Sequence, residues 1–257
     1  MAVTILMGKA GNGKSSQCFN ELQAWEAAGG KAMLLVPDQA TYGAERRLAE
    51  HAKGRGFVGT QVVGFSRLAY NVFQEQGLSH ASLSELARKI ILQRLLHKGE
   101  KDFSLLQTAA RQPNFADTAG RFLGECRSFC VSSDTLRKAA DAVSSTTLSH
   151  KLQDMALLYD MYQAFLSDHF GSADDTMTLL AKAVDKDPFL QGARVWVDGF
   201  QWFTPQQMNI LQQIEAVTDH LTITLTIDAD HLLQQRRETA LFHRAYEVYR
   251  DLQRLFP

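Results

Sequence analysis

The stretch VTILMGKAGNGKS (residues 3–15) decides how the rest of the chain is read. Its first half, VTILM (3–7), is a short apolar run of the kind a strand buried on both faces carries. Its second half, GKAGNGKS from Gly8 to Ser15, meets the pattern G-x-x-x-x-G-K-[ST] at every fixed position, and a helical pattern follows at once. Glycines let the backbone turn its N–H groups inward as an anion nest. Lys14 can then reach the β- and γ-phosphates, the Ser15 hydroxyl can ligate Mg²⁺, and the start of the helix adds a favourable dipole. With glycine at about 7% of average usage, a chance match anywhere in a chain of this size is on the order of 1%. The reading is a phosphate-binding loop made of Gly8, Lys9, Ala10, Gly11, Asn12, Gly13, Lys14 and Ser15, with ATP and Mg²⁺ as its cofactors.

Working outward, short apolar runs alternate with helical patterns, which predicts βαβ units and a parallel sheet. KSSQCFNELQAWEAAGG sets Cys18, Leu22 and Trp25 on one helical face and stops at Gly29-Gly30, a C-terminal cap. AMLLVP (32–37) is a second strand ended by Pro37, TYGAERRLAEHA a second helix, TQVVGF (60–65) a third strand, and a helix follows from Ser66 to Gln76. Strand-like runs vanish between residues 78 and 190 and helical periodicity takes over. SLSELARKIILQRLLHKG opens with a capping box, Ser82 to Glu85, and closes on Gly99. LQDMALLYDMYQAFL aligns Leu152, Met155, Tyr159, Tyr162 and Leu166 in a stripe that reads as core. The α/β pattern returns with ARVWVDGF (193–200), then a helix capped by Thr204 with Pro205 and Gln207, then LTITLTID (221–228) and a final helix. The expected organisation is an α/β domain in two parts, 1–77 and 191–257, with a large all-helical insertion at 78–190.

Composition excludes several classes. The chain has 257 residues, 45% hydrophobic and 21% charged, and carries no apolar run near the roughly 20 residues that span a membrane. No basic leader precedes the first apolar run, so a cytoplasmic protein is expected. Three cysteines, Cys18, Cys126 and Cys130, suggest neither a disulfide frame nor a zinc site, and eight scattered histidines lack metal-ligand spacing. A net charge of −1 is not that of a freestanding nucleic-acid binder. Basic character is local: Arg46, Arg47, Lys53, Arg55 and Arg67 against Glu45 and Glu50 give residues 41–70 an excess of +3, which also suits a solvated helix face.

VWVDGFQWFTPQQ (195–207) reads as a strand whose terminal Asp198 can hold Mg²⁺ together with Ser15, yet Gly199 stands where a water-activating carboxylate is usual. With GKAGNGKS, LLVPDQAT (34–41) and VVGFSRLA (62–69), this segment makes an ordered series that resembles the first RecA-like domain of superfamily 1 DNA helicases. TAARQPNFADTAGRF, KLQDMALLYDMY and LQGARVWVDGF bring the resemblance closer to the AddB/RexB subunits of bacterial AddAB-type helicase–nucleases, over essentially the whole chain.

That resemblance implies an inactivated superfamily 1 helicase-like domain of P-loop, RecA-like fold, with the helical insertion in its usual place. It implies an AddA-type helicase–nuclease subunit as heterodimeric partner, a role in double-strand break repair, and recognition of the hotspot Chi as single-stranded DNA. The family's [4Fe–4S] cluster and nuclease Mg²⁺ belong to its C-terminal part, and this sequence reads as the front piece of a longer chain without a catalytic residue of its own. In such folds the loops after strands two, three and four line the single-strand path, here offering Gln39, Thr41, Phe65, Arg67, Tyr70, Phe200, Trp202 and Phe203. Aromatic faces can stack on bases while Arg67 and Gln39 meet phosphate or base edges; Phe65 and Phe200 equally suit the core beneath the sheet. Other readings are a stand-alone P-loop NTPase or small-molecule kinase, and an interaction module with a relict loop.

Overall fold

The computed structural model describes residues 2–52, 57–78, 83–112, 114–170 and 175–257. They divide into two compact units, Met1–Ser79 with Thr176–Pro257, and His80–Asp175.

In the first unit the chain runs β1 (Ala2–Gly8), α1 (Lys14–Ala27), β2 (Ala32–Leu35), α2 (Thr41–His51), β3 (Thr60–Val63) and α3 (Phe65–Glu75). The helical unit holds α4 (Glu85–Lys98), α5 (Gln107–Ala110), α6 (Phe115–Ser128), α7 (Ser133–Ala142) and α8 (Thr146–Phe170). The first unit then resumes with α9 (Thr176–Ala183), β4 (Arg194–Val197), α10 (Pro205–Glu215), β5 (His220–Thr226) and α11 (His243–Leu255).

The five strands form one sheet of order β1-β5-β4-β2-β3, parallel at every pairing. Alternation decides which face each side chain serves. Met33, Leu35, Val63, Val195, Val197, Leu221, Ile223 and Leu225 point to the face covered by α3, α9, α10 and α11. Ala32, Leu34, Val62 and Trp196 point to the face covered by α1 and α2, where Cys18, Phe19, Leu22, Ala44 and Leu48 are buried. A parallel sheet with helices on both faces is the α/β class expected from the sequence, and it fits a RecA-like fold.

Register sets the site. Leu35 pairs with both Val63 and Val197, Val197 with Ile223, and Gly8 with Thr226, so the loops after β1, β2, β3 and β4 leave the sheet along one edge. Open α/β sheets bind ligands outside the carboxyl ends of their strands.

The helical unit packs around Leu92, Leu96, Phe103, Leu123 and Leu158, with the α8 stripe Met155, Tyr159, Tyr162 and Leu166 buried as its periodicity requires. Asp154, 3% exposed, accepts hydrogen bonds from the backbone N–H of Ser104, Leu105 and Leu106 at 2.9, 2.7 and 2.9 Å, so a buried carboxyl group organises the approach to α5. The cap of α4 differs from the expected one. Ser84 caps it by accepting from the Ala87 N–H at 3.2 Å, and Glu85 is the first helical residue rather than the third; Ser82 lies outside the described residues. The α10 cap is as read: Thr204 accepts from the Gln207 N–H, the Gln207 side chain accepts from the Thr204 N–H, and Pro205 opens the helix. Among the described residues, no helix is long and apolar enough to cross a membrane.

Candidate functional site

Between β1 and α1 the loop turns on two glycines in the left-handed region, Gly11 (φ 83°) and Gly13 (φ 78°), a conformation costly for any residue with a Cβ. Gly13 is the N-cap of α1, no side chain caps that end, and no acidic residue occupies its first turn. A helix start left this way offers N–H groups and positive potential to an anion. The Lys14 ammonium donates to the Gly8 carbonyl at 2.8 Å and to the Lys9 carbonyl at 2.9 Å. Three donors are available on an ammonium, so one remains for a ligand. The Lys9 amine instead pairs with Asp228, past the end of β5, at 3.0 Å, and that hydrogen bond holds the Asp228 carboxyl below the usual carboxylate range.

Asp198 follows β4 and is 5% exposed. Its backbone N–H donates to the Leu35 carbonyl at 2.9 Å, and its Oδ1 accepts from the Thr224 hydroxyl at 2.7 Å. Thr224 sits on β5, the strand between β4 and β1. Gly199 has φ 83°, so the chain leaves Asp198 through a turn that disfavours a side chain at that position. The departure at Gly199 is thus one of backbone shape as well as of a missing carboxylate. Beneath the loop, Cys18 is fully buried and its thiol is pushed up to about 12, by desolvation first and by the charge of Asp198 second.

These elements enclose a cavity of about 760 Å³. Its loop wall is Ala10, Gly11, Gly13, Lys14, Ser15 and Ser16; Asp198, Gly199 and Thr224 lie at the strand ends; Phe200, Trp202, Phe242 and Arg244 are among the other lining residues. Of the residues read from the motif, Ala10, Gly11, Gly13, Lys14 and Ser15 reach the cavity, while Gly8 and Lys9 act through their carbonyls on Lys14 and the Asn12 side chain packs beside Gly8. Ser15 and Asp198, the pair expected to serve Mg²⁺, line the same cavity, and hydroxyl and carboxylate oxygens are the hard donors that ion takes. Asp198 is the single acid among the described lining residues.

The aromatic residues expected on a single-strand path separate. Phe65 and Phe203 are 2% and 7% exposed, and Phe200, half-buried, lies between them with ring centroids 5.7 and 5.0 Å away. Phe65 and Phe203 are core residues here, because rings that deeply packed have no free face for a base. Trp202 is 48% exposed and turns to the cavity beside the glycine-rich loop.

Gln39, Arg67 and Tyr70 are exposed and Thr41 is half-buried. Asp38 laces their loops together. It accepts from the Ser66 N–H at 3.2 Å and the Ser66 hydroxyl at 2.8 Å, and its carbonyl accepts from Thr41 at 3.1 Å. Arg67 meets Glu45 at 3.3 Å across the surface, an exposed pair worth about 0–1 kcal/mol. Tyr42, 76% exposed at the start of α2, is a further aromatic on this surface that the motifs do not single out. Lys53 and Arg55 of the basic stretch lie outside the described residues. Nothing in the motifs points to Thr224, Phe242 or Arg244, because each reaches the cavity only through the strand order.

Comparison with known proteins adds the following. The family model described as "ADDB, N-terminal" matches residues 5–256. Among curated relatives, each named as the B subunit of an ATP-dependent helicase/deoxyribonuclease, the protein of Pelotomaculum thermopropionicum is 34% identical over 97% of this chain, that of Moorella thermoacetica 34% over 99%, and that of Bacillus subtilis 31% over 97%. The chain spans 22–23% of the length of these relatives.

A Cβ at Gly64 would stand 2.0 Å from Asp38 Oδ1 and 2.8 Å from Asp38 Cα. Gly64→Ala is therefore expected to part the loops after β2 and β3 and cost about 2 kcal/mol, read as a lower urea midpoint at unchanged slope. A midpoint equal to that of the unsubstituted chain would contradict this account of how the two loops are held.

Proposed function

Because this chain belongs to the ADDB N-terminal family, we propose that it is the nucleotide-holding front part of an AddB-type subunit of an ATP-dependent helicase–deoxyribonuclease, binding ATP without effective hydrolysis. The observation that carries the reading is the cavity in which the glycine-rich loop, the uncapped start of α1 and Asp198 meet. Phosphate oxygens accept hydrogen bonds from the loop amides and from the third N–H of Lys14. Ser15 and Asp198 would hold Mg²⁺, Asp198 through water, and a bound ion would neutralise phosphate charge. Thr224 keeps Asp198 turned to its place. Hydrolysis lacks a base: Gly199 has no side chain, Asp198 is the single acid among the described lining residues, and the turn at φ 83° disfavours any side chain at position 199. A water-activating base contributes typically about 10²–10⁴-fold.

In this proposal the protein works beside an AddA-type motor in the processing of double-strand breaks, and contacts single-stranded DNA, Chi included, through the loops after β2 and β3. Gln39, Thr41, Arg67 and Tyr70 form that contact, with Tyr42 joining them. Phe65, Phe200 and Phe203 fix the loops from below, as their packing supports.

Calorimetric titration of the purified chain with ATP and Mg²⁺ tests the nucleotide reading. Lys14→Ala is expected to weaken binding by about tenfold or more, the loss of a charge-assisted contact; equal affinity, or no binding by the unsubstituted chain, would refute it. For the DNA surface, Arg67→Ala is expected to weaken binding of a fluorescent single-stranded oligonucleotide about fivefold and to lower the salt slope by about one. An unchanged isotherm and slope would remove Arg67 from the contact.

A further inference from the structure

Residue 9 is where the glycine-rich loop is tied to the sheet. The Lys9 carbonyl accepts from the Lys14 ammonium at 2.9 Å and from the Asn12 N–H at 3.3 Å, while the Lys9 side chain reaches Asp228 Oδ2 at 3.0 Å. Asp228 has little freedom of place. Strand β5 pairs with β1 as far as Thr226, the Ile227 N–H then donates to the Gly8 carbonyl at 3.1 Å, and Asp228 is the next residue. His231, just before the helical turn Leu232–Arg236, stands 3.3 Å from the same oxygen, Oδ2. The other oxygen, Oδ1, is buried and meets no donor among the described residues. The carboxylate therefore leans on the Lys9 contact to keep its charge in this half-buried place. Neither Lys9 nor Asp228 is among the described residues that line the cavity, so what the pair does to a ligand it does through the loop.

We propose that Asp228 is a positioning residue of the glycine-rich loop: by holding Lys9 it fixes the peptide whose carbonyl orients Lys14, and so prepares the loop for the phosphates of a nucleotide. The inference rests on the nucleotide reading above. Two effects of Asp228 oppose each other. As a negative charge near an anion site it would weaken phosphate binding, and its removal would tighten it. As an anchor it reduces the freedom that the loop gives up when a ligand binds, and its removal weakens binding. The anchor prevails because Lys9 neutralises the carboxylate on the spot, leaving the pair with a geometric effect and little net charge toward the ligand. The same pairing keeps the Lys9 ammonium away from the phosphates and leaves Lys14 as the loop cation that meets them.

The test is a calorimetric titration with ATP and Mg²⁺ of the purified chain and of Asp228→Ala, Lys9→Ala, the double variant, and the exchanged pair Lys9→Asp with Asp228→Lys. Each single variant is expected to bind about fivefold more weakly, the size of one partly exposed ion pair. The double variant should bind no more weakly than either single one, and the exchanged pair should recover most of the affinity. Lys9 is exposed, so Lys9→Ala should keep the thermal midpoint of the unsubstituted chain, and it carries the test if Asp228→Ala folds poorly. Unchanged or tighter binding by Asp228→Ala, losses that add in the double variant, or a double variant restored to full affinity would overturn the inference while the nucleotide reading stands. If the unsubstituted chain binds no ATP, the nucleotide reading itself falls and this inference with it.

Discussion

The hydrogen bond from the Thr224 hydroxyl to Asp198 Oδ1, at 2.7 Å, joins two neighbouring strand ends inside the sheet, and the geometry of the site follows from it. Both residues are about 5% exposed or less, so the bond is made where an unpaired carboxylate oxygen would be costly. It fixes the end of β4 against β5, and β5 in turn pairs along its whole length with β1, which delivers the glycine-rich loop. Parallel register makes the link rigid: a slip by one residue would turn Thr224 to the opposite face and leave Asp198 without its donor.

From Asp198 onward one short segment is divided between two tasks. Gly199 turns the chain in the left-handed region, Phe200 drops between Phe65 and Phe203, and Trp202 comes to the cavity. Since Phe65 stands at the head of α3, directly after the loop that Asp38 ties down, the aromatic cluster connects the cavity lining with the surface carrying Arg67 and Tyr70. In the proposed function this gives a nucleotide-holding element and a strand-contacting surface a common support.

Much of this is legible in the sequence, for identifiable reasons. Strands β2 and β4 announce themselves because they lie inside the sheet and read as nearly continuous apolar runs, while β5 is legible as alternating apolar residues and threonines, and the edge strands β1 and β3 as short apolar runs next to glycine turns. The α10 cap is legible because Thr204, Pro205 and Gln207 carry a local geometry that needs no tertiary context. At α4 two serines precede an acceptable helix start, and the spacing to Glu85 favours Ser82 although Ser84 makes the cap. The aromatic loops mislead for a related reason. Phe65 and Trp202 have similar one-dimensional surroundings, yet one is 2% and the other 48% exposed, a difference made by the strands and helices packed around them. Thr224 and Arg244 are invisible in the sequence because nothing local distinguishes a threonine on a buried strand or an arginine at a helix start; only the folded chain brings them into the lining of the cavity that the glycine-rich loop also lines.

The central claim is a nucleotide pocket that binds and does not turn over. A single-turnover assay measures it directly, with the purified chain in excess over labelled ATP and Mg²⁺ and both binding and product followed in the same sample. The account predicts that the label is retained by the protein, that Lys14→Ala releases it, and that it is recovered as intact ATP. Conversion to ADP at a rate that Lys14→Ala abolishes would contradict it.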